Sequence, residues 1–174
     1  MSPEEVVARA LALLPGATPL PPEFARGQAV VIVPRERSAE GLRALRDDPA
    51  LRFDRLSDVT AVDYYPQEPR FAVVYQLHSL AGGHRLRVKV PVPGDDPEVA
   101  SAVPLWQSAL WAEREVWDMF GIRFRGHPDL RRILLYPEFQ GHPLRKDYPV
   151  DRRQPLVPER DPIADPWPPR RSAG

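Results

Sequence analysis

The side chains with the most chemical potential fall close together in the chain: Glu113, Arg114, Glu115 and Asp118, then His127, Asp129, Arg131 and His142. Neighbouring carboxylates on one helix could do general acid–base work, with one held protonated and the other ionised. They could equally be a charged helix flank. An intermediate reading suits the spacing better. Glu113 falls near the centre of an apolar helix face, and a carboxylate there must find a cation or several N–H donors, because an unpaired buried charge is costly. Arg131 and Arg132, on the segment returning after Gly126, are its expected partners. Arg114 and Asp118, four apart on a flank, can pair with each other, while Glu115 points away. Locking a helix to a return segment therefore outweighs catalysis.

Other chemistries find less support. A metal site from His127, Asp129 and His142 is conceivable, but both histidines stand in Gly-His-Pro turns, where imidazoles more often hydrogen-bond or touch a partner. Neither G-x-x-x-x-G-K-[ST] nor G-x-G-x-x-G occurs, and there is no H-E-x-x-H. No serine has the G-x-S-x-G context of a hydrolase. The chain has no cysteine, which excludes a thiol nucleophile, a disulfide framework and cysteine-ligated Fe–S or zinc centres. Arg85, Arg87 and Lys89 make a basic strand face, by default solvated and otherwise in contact with an acidic neighbour. Trp111 sits apart from the apolar helix face and is a candidate partner anchor. Trp167, among Pro166, Pro168 and Pro169, is either exposed or docked on another protein.

The elements that must position these residues are punctuated by proline. There are 23 prolines in 174 residues, well above the usual ~5%, and nine of them fall from Pro137 onward. Residues 1–136 are expected to form the folded domain, and 137–174 an extended, basic, proline-rich tail that wraps a partner. Glu4 to Leu14 has the pattern of a short helix ended by Pro15-Gly16. Ala29 to Val33 reads as a strand buried on both faces, and Ser38 to Arg46 offers Leu42 and Leu45 at helical spacing. Phe71, Val73, Tyr75 and Leu77 alternate, a turn follows at Ala81-Gly82-Gly83, and Leu86, Val88 and Val90 alternate in their turn. That is a hairpin. From Leu105 to Phe120, Trp106, Ala109, Leu110, Val116, Trp117 and Phe120 share one helical face before Gly121 stops it. The expected fold class is α+β: a small mixed α/β domain with an antiparallel hairpin, followed by the extended tail.

Charge is balanced overall, with 24 basic and 24 acidic residues, which argues against a dedicated nucleic-acid binder. It is uneven along the chain: residues 1–120 hold 13 basic and 17 acidic side chains, residues 121–174 hold 11 and 7. A basic, extended C-terminal third suits an acidic partner surface. The longest apolar runs, such as Ala29 to Val33, are five residues, far short of the ~20 needed to span a bilayer. The acidic start, Met-Ser-Pro-Glu-Glu, is unlike a secretory signal, so an unexported chain is expected.

Glu113-Arg114-Glu115-Val116-Trp117-Asp118-Met119-Phe120-Gly121-Ile122, with Phe124 and Gly126-His127-Pro128-Asp129-Leu130-Arg131-Arg132-Ile133-Leu134, resembles the C-subunit family of respiratory complex I, the 30-kilodalton subunit. Gly141-His142-Pro143-Leu144-Arg145-Lys146-Asp147-Tyr148-Pro149 is similar to the family's second block. The strand Phe71 to Tyr75 and its hairpin are also similar, so the resemblance covers roughly residues 28–150. It implies a subunit of an NADH–quinone oxidoreductase on the cytoplasmic side of a bacterial inner membrane, held there peripherally through the complex. That complex is a proton-pumping translocase of the respiratory chain, carrying electrons from NADH through FMN and Fe–S clusters to quinone. The resemblance implies that this chain binds no cofactor and has no catalytic centre. It would scaffold the peripheral arm against the large quinone-site D subunit, with the B and I subunits nearby. Glu113, Arg114, Glu115, Asp118, His127 and Arg131 would then fix the fold's corner. His142, Arg145, Lys146, Asp147 and Tyr148 would lie against the D subunit, so that changing Arg145 and Lys146 to Glu weakens assembly and leaves the body folded. An equivalent subunit of a membrane-bound hydrogenase or a plastoquinone-linked complex is the alternative, and a free-standing enzyme using Glu113, His127 or Asp118 the remotest.

Overall fold

The chain opens with a reciprocal cap: the Ser2 hydroxyl accepts the Glu5 N–H, and the Glu5 carboxylate accepts the Ser2 N–H. This starts α1, Pro3–Leu13, whose Val6 and Ala10 recur at helical spacing and are buried. The computed structural model describes residues 1–157. After α1 come a two-residue strand β1, Thr18–Pro19, a single turn α2, Pro22–Ala25, and β2, Val30–Ile32. A 3-10 turn then leads into α3, Ser38–Asp47, followed by β3, Arg55–Asp63, β4, Phe71–His78, and β5, Arg85–Val92. Last are β6, Glu98–Ala100, α4, Ala109–Phe120, and β7, Arg123–Arg125.

Five strands form one sheet in the order β1-β2-β5-β4-β3, and β6 pairs with β7 in a second, two-stranded sheet. β2 runs parallel to β5, and the other neighbours in the large sheet are antiparallel. The β4–β5 register, from Phe71 opposite Val92 to His78 opposite Arg85, decides which side chains share a face. On the inner face, Phe71, Val73, Tyr75 and Leu77 lie beside Val92, Val90, Val88 and Leu86, and all are buried. Val6 and Ala10 of α1, Leu42 and Leu45 of α3, and Val116 and Phe120 of α4 join them in one core. The outer face carries Ala72, Val74, Gln76 and His78 beside Pro91, Lys89, Arg87 and Arg85.

The α+β class and the hairpin are as expected. Three details differ. β3 has no clear sequence signal, because a register shift between Leu56 and Asp58 breaks its alternation: Leu56 and Val59 are both buried although three apart. The helix expected from Leu105 begins at Ala109. Trp106 precedes it in a turn, buried, with its indole N–H donating to the Phe53 carbonyl at 3.0 Å. Trp117, expected in the core, is half-buried and lies under the segment that comes after β7, edge-on to His142. Among the described residues from 137 on there is no helix or strand, and residues 142–146 fold back onto α4 and β3. Trp167 lies outside the described residues.

Candidate functional site

Both buried acids of α4 have completely enclosed side chains, and they meet opposite surroundings. Glu113 faces the sheet with no cation beside it. Its carboxylate accepts the Ser101 hydroxyl at 2.7 Å and the Ala102 N–H at 2.6 Å. Burial pushes the Glu113 carboxyl up to about 7, and the two donors only partly offset that. Tyr75, wholly buried on the inner face of β4, is near enough to feel this carboxylate: burial first and the Glu113 charge second raise its phenol. The expected ion pair of Glu113 with Arg131 or Arg132 is not formed. Arg131 pairs instead with Asp129 at 3.0 Å, and Arg132 with Asp118 at 2.6 Å.

Asp118 organises the opposite end of the helix. Burial alone would raise its carboxyl, but the N–H groups of Leu135, Leu134 and Ile133, at 2.9–3.1 Å, and the Arg132 guanidinium outweigh it and hold the carboxyl low. Arg132 also donates to the carbonyls of Phe139 and Gly141 at 2.9 and 3.1 Å and stands over the rings of Trp117 and Phe139. Arg114 does not pair with Asp118, as its spacing allowed. It reaches the carbonyls of Arg131 and Arg132 at 3.0 and 2.7 Å, because the return segment lies over that flank. Glu115 is exposed, as expected.

The two Gly-His-Pro turns deliver imidazoles to backbone carbonyls of α4. Gly126 and Gly141 both take positive φ, 84° and 94°, which a glycine adopts without strain. His127 Nδ1 accepts the Asp129 N–H at 3.0 Å, so Nε2 carries the proton and donates to Leu110 O at 2.9 Å. Both ring nitrogens are thereby used, which removes His127 from a metal site. Among the described residues no three His, Asp or Glu side chains are placed to hold a metal ion. His142 Nδ1 donates to Asp118 O at 3.0 Å. Burial, then the charges of Arg145 and Arg132, lower its pKa.

A helix leaves its last four carbonyls without internal partners. In α4 each finds one. Gly121, in the left-handed conformation, returns its N–H to Trp117 O at 2.8 Å. Asp118 O takes His142, Met119 O takes the Leu144 N–H at 3.1 Å, and Phe120 O takes Arg145 Nε at 2.5 Å. Space at Gly121 is also tight, since an added Cβ would stand 2.6 Å from the His142 ring.

The rest of the second block ties to the sheet. The Lys146 N–H donates to Asp63 at 2.9 Å, and Asp147 pairs with Arg70 at 2.7 Å. Arg70 also holds Asp63 at 2.9 Å. Burial works against the Asp63 carboxylate, but Arg70 and the N–H groups of Lys146 and Tyr65 keep it at about 2. Tyr148 stacks on Phe139 and bonds Gln154. The Lys146 side chain is exposed, whereas Arg145 is spent on the helix end. Sequence reasoning missed Ser101, Asp63, Arg70 and Tyr75. Only Tyr75 carried a signal, as a hydroxyl-bearing residue at an inward position of an alternating strand; Asp63 stands on β3, whose pattern the bulge hides.

Comparison with known proteins identifies relatives over most of the chain. Residues 31–154 match the family described as respiratory-chain NADH dehydrogenase, 30-kilodalton subunit. The C subunit of NADH-quinone oxidoreductase from Citrifermentans bemidjiense is 51% identical over 137 residues, covering 79% of this chain and 81% of its own. The C 2 subunit of NADH-quinone oxidoreductase from Rhizobium etli is 48% identical over 146 residues, 82% of this chain and 78% of that one. Among solved structures, a trypsin-resistant fragment of Nqo5 matches with a TM-score of 0.62 at 39% identity, over 75% of this chain and all of the fragment. A chain of the membrane-bound sulfane sulfur reductase, an archaeal respiratory membrane complex, matches with a TM-score of 0.67 at 28% identity, over 84% of this chain and 85% of that one.

Proposed function

Because the chain belongs to the 30-kilodalton subunit family of respiratory-chain NADH dehydrogenase, we propose that it is a scaffold subunit of the peripheral arm of an NADH–quinone oxidoreductase. It seats the C-terminal segment against the quinone-site D subunit, with the B and I subunits as further neighbours. The flavin, Fe–S clusters, NADH and quinone belong to the rest of the complex, and the chain is held at the cytoplasmic side of the membrane through its partners. Among the described residues, no helix is long and apolar enough to cross a membrane.

One observation carries this reading: a segment without helix or strand is fastened along its length yet turns apolar side chains outward. Leu134, Leu144 and Leu156 are 62%, 53% and 101% exposed, and Trp111, on the outer side of α4, is 68% exposed. Large exposed apolar groups, Leu134 and Leu144 on the fastened part of the strap and Trp111 on α4, are what a partner surface offers. The polar residues of the strap divide into two kinds. His142, Arg145, Asp147 and Tyr148 hold the strap internally and lie where it would meet the D subunit, while the exposed Lys146 side chain turns outward to that subunit.

Affinity purification of the tagged chain from gently solubilised host membranes, with mass spectrometry of the proteins that accompany it, tests the proposal. Recovery of flavin- and Fe–S-bearing NADH dehydrogenase subunits is expected. The likeness to a chain of the archaeal sulfane sulfur reductase complex supports a second reading, in which the scaffold role stays and the redox partners change. Recovery of a nickel hydrogenase or sulfur reductase large subunit would establish it. A chain recovered alone and monomeric would overturn both.

A further inference from the structure

The large sheet is covered by helices on its inner face alone: α1, α3 and α4 all contribute to the one core that contains Val73, Tyr75 and Val88. The outer face has no helix over it among the described residues. Its centre is cationic. The pairing aligns His78 with Arg85, Gln76 with Arg87 and Val74 with Lys89, and Arg55 stands opposite His78 on β3. None of Arg55, Arg85, Arg87 and Lys89 makes an ion pair among the described residues, and their polar contacts are with neutral groups: Arg87 with Gln76 at 3.4 Å and Lys89 with the Tyr64 hydroxyl at 3.3 Å. The carboxylate of this face, Asp58, is aligned with Gln76 on the edge strand. That puts it two strands from Arg87, roughly 10 Å away.

The two-stranded sheet treats its cations differently. There Arg123 and Arg125 meet Glu98, and Arg123 also meets Asp96 just before β6. Among the described residues, basic side chains gathered on one sheet face with no ion pair to a carboxylate are thus particular to the outer face of the large sheet. Its floor is apolar as well: Ala72 and Val74 are 5% and 4% exposed but lie outside the main core, and Val62 at the edge is 37% exposed. Basic side chains whose stems rest on an apolar floor while their heads stay unpaired suit an interface with an acidic surface.

We propose that the outer face of the five-stranded sheet is a docking surface for an acidic protein segment, whose Asp and Glu side chains pair with Arg85, Arg87 and Lys89. The segment belongs to a neighbouring subunit, so the inference rests on the scaffold reading above, and it places a contact on the face opposite the helices, separate from the C-terminal strap. The chain's lysine usage provides the test, because Lys89 and Lys146 are its only two lysines. Lys89 reports on the sheet face and Lys146 on the strap.

The full-length chain alone and the intact complex in gently solubilised membranes would each be treated with an amine-acetylating reagent and, separately, with a carbodiimide. Peptides would then be read by mass spectrometry. Expected is acetylation of Lys89 in the free chain, at least tenfold protection in the complex, and a carbodiimide link from Lys89 to an Asp or Glu of another subunit. Protection of Lys146 with Lys89 still reactive would overturn the docking surface and leave the scaffold reading standing. Equal reactivity of both lysines in free and membrane-extracted chain would overturn both. Lys89 unreactive even in the free chain, or linked only within its own chain, would overturn the docking surface by showing that the chain covers this face itself. Protection lost on removing lipid, with no link to a protein acid, would assign the face to an anionic membrane surface and overturn the protein partner. In the complex, Arg87→Glu with Lys89→Glu should remove the cross-linked subunit from the purified assembly, while Arg87→Gln with Lys89→Gln controls for lost packing.

Discussion

Glu113 and Asp118 lie on one helix, both fully buried, and the two ends of α4 treat them oppositely. Asp118 sits where three backbone N–H groups and a guanidinium converge, so its charge is the reason the return segment has its course. Glu113 sits against the sheet with one hydroxyl and one N–H, so its charge is a liability that protonation relieves. Both side chains are closed to solvent, Glu113 at the greater depth. The number of donors and the presence of a cation decide whether a buried carboxylate holds structure together or strains it.

Removing Asp118 should break this contrast most severely. Asp118→Ala leaves the Arg132 guanidinium and three N–H groups without their acceptor. It is expected to cost about 3–5 kcal/mol, seen as a fall of roughly 10 °C in Tm and as rapid tryptic cleavage after Arg131 and Arg132. Loss of Tm without faster cleavage there would mean that the strap is held by its other ties.

The two acids should also separate by pH. A raised carboxyl pKa in the folded state makes stability fall as pH rises, from about 4.5 in the unfolded chain to about 7 in the folded one. The loss is on the order of 3 kcal/mol and levels off above pH 7. Asp118 and Asp63 have lowered folded pKa values, so their contribution is present above about 3.8 and is lost as pH falls below it, for Asp63 as pH falls toward about 2. His142, with its lowered folded pKa, acts in the opposite direction and costs stability as pH falls below about 6.5. Urea denaturation at about pH 5 and about pH 8 should therefore be read as a difference: relative to the wild type, Glu113→Gln should gain stability at the higher pH, and Glu113→Gln with the same pH dependence as the wild type would show that Glu113 is solvated or paired.

Smaller effects sharpen the picture. Arg145→Glu puts a carboxylate against the carbonyl end of α4 and should cost about 2 kcal/mol, whereas Lys146→Glu, changing an exposed side chain, should stay within about 0.5 kcal/mol. The pair of substitutions therefore separates folding from assembly: Lys146→Glu alone is expected to weaken subunit recovery from a folded chain. Ser101→Ala, removing one of two donors to Glu113, should cost about 1 kcal/mol near neutral pH. It should also move the pH-dependent fall in urea midpoint upward.

Much of the scaffold was legible because local pattern and tertiary burial agree. Phe71 to Leu77 and Leu86 to Val90 alternate without interruption, so strand, turn and pairing follow from the residues alone. β3 was hidden because its bulge places Leu56 and Val59 on the same side at a spacing of three. The site was half legible. A helical wheel correctly put Glu113 toward the core, but it put Asp118 on a flank, and that flank is buried by a coil segment whose path no periodicity records. The same segment drew Arg132 to Asp118, leaving Glu113 to Ser101 and Ala102, in turns that precede the helix and show no pattern of their own.

The capping of α4 has a consequence for how the chain comes into being. Its final carbonyls wait for His142, Leu144 and Arg145, the imidazole lying 24 residues beyond the carbonyl it serves. On a ribosome both sheets can be complete while the last turn of this helix is still open to solvent. A chain ending at residue 136 would keep every strand and helix of the described residues and yet carry bare carbonyls beside a Trp117 that has lost His142. The segment with no regular structure of its own is the closing piece of a helix that was synthesised before it.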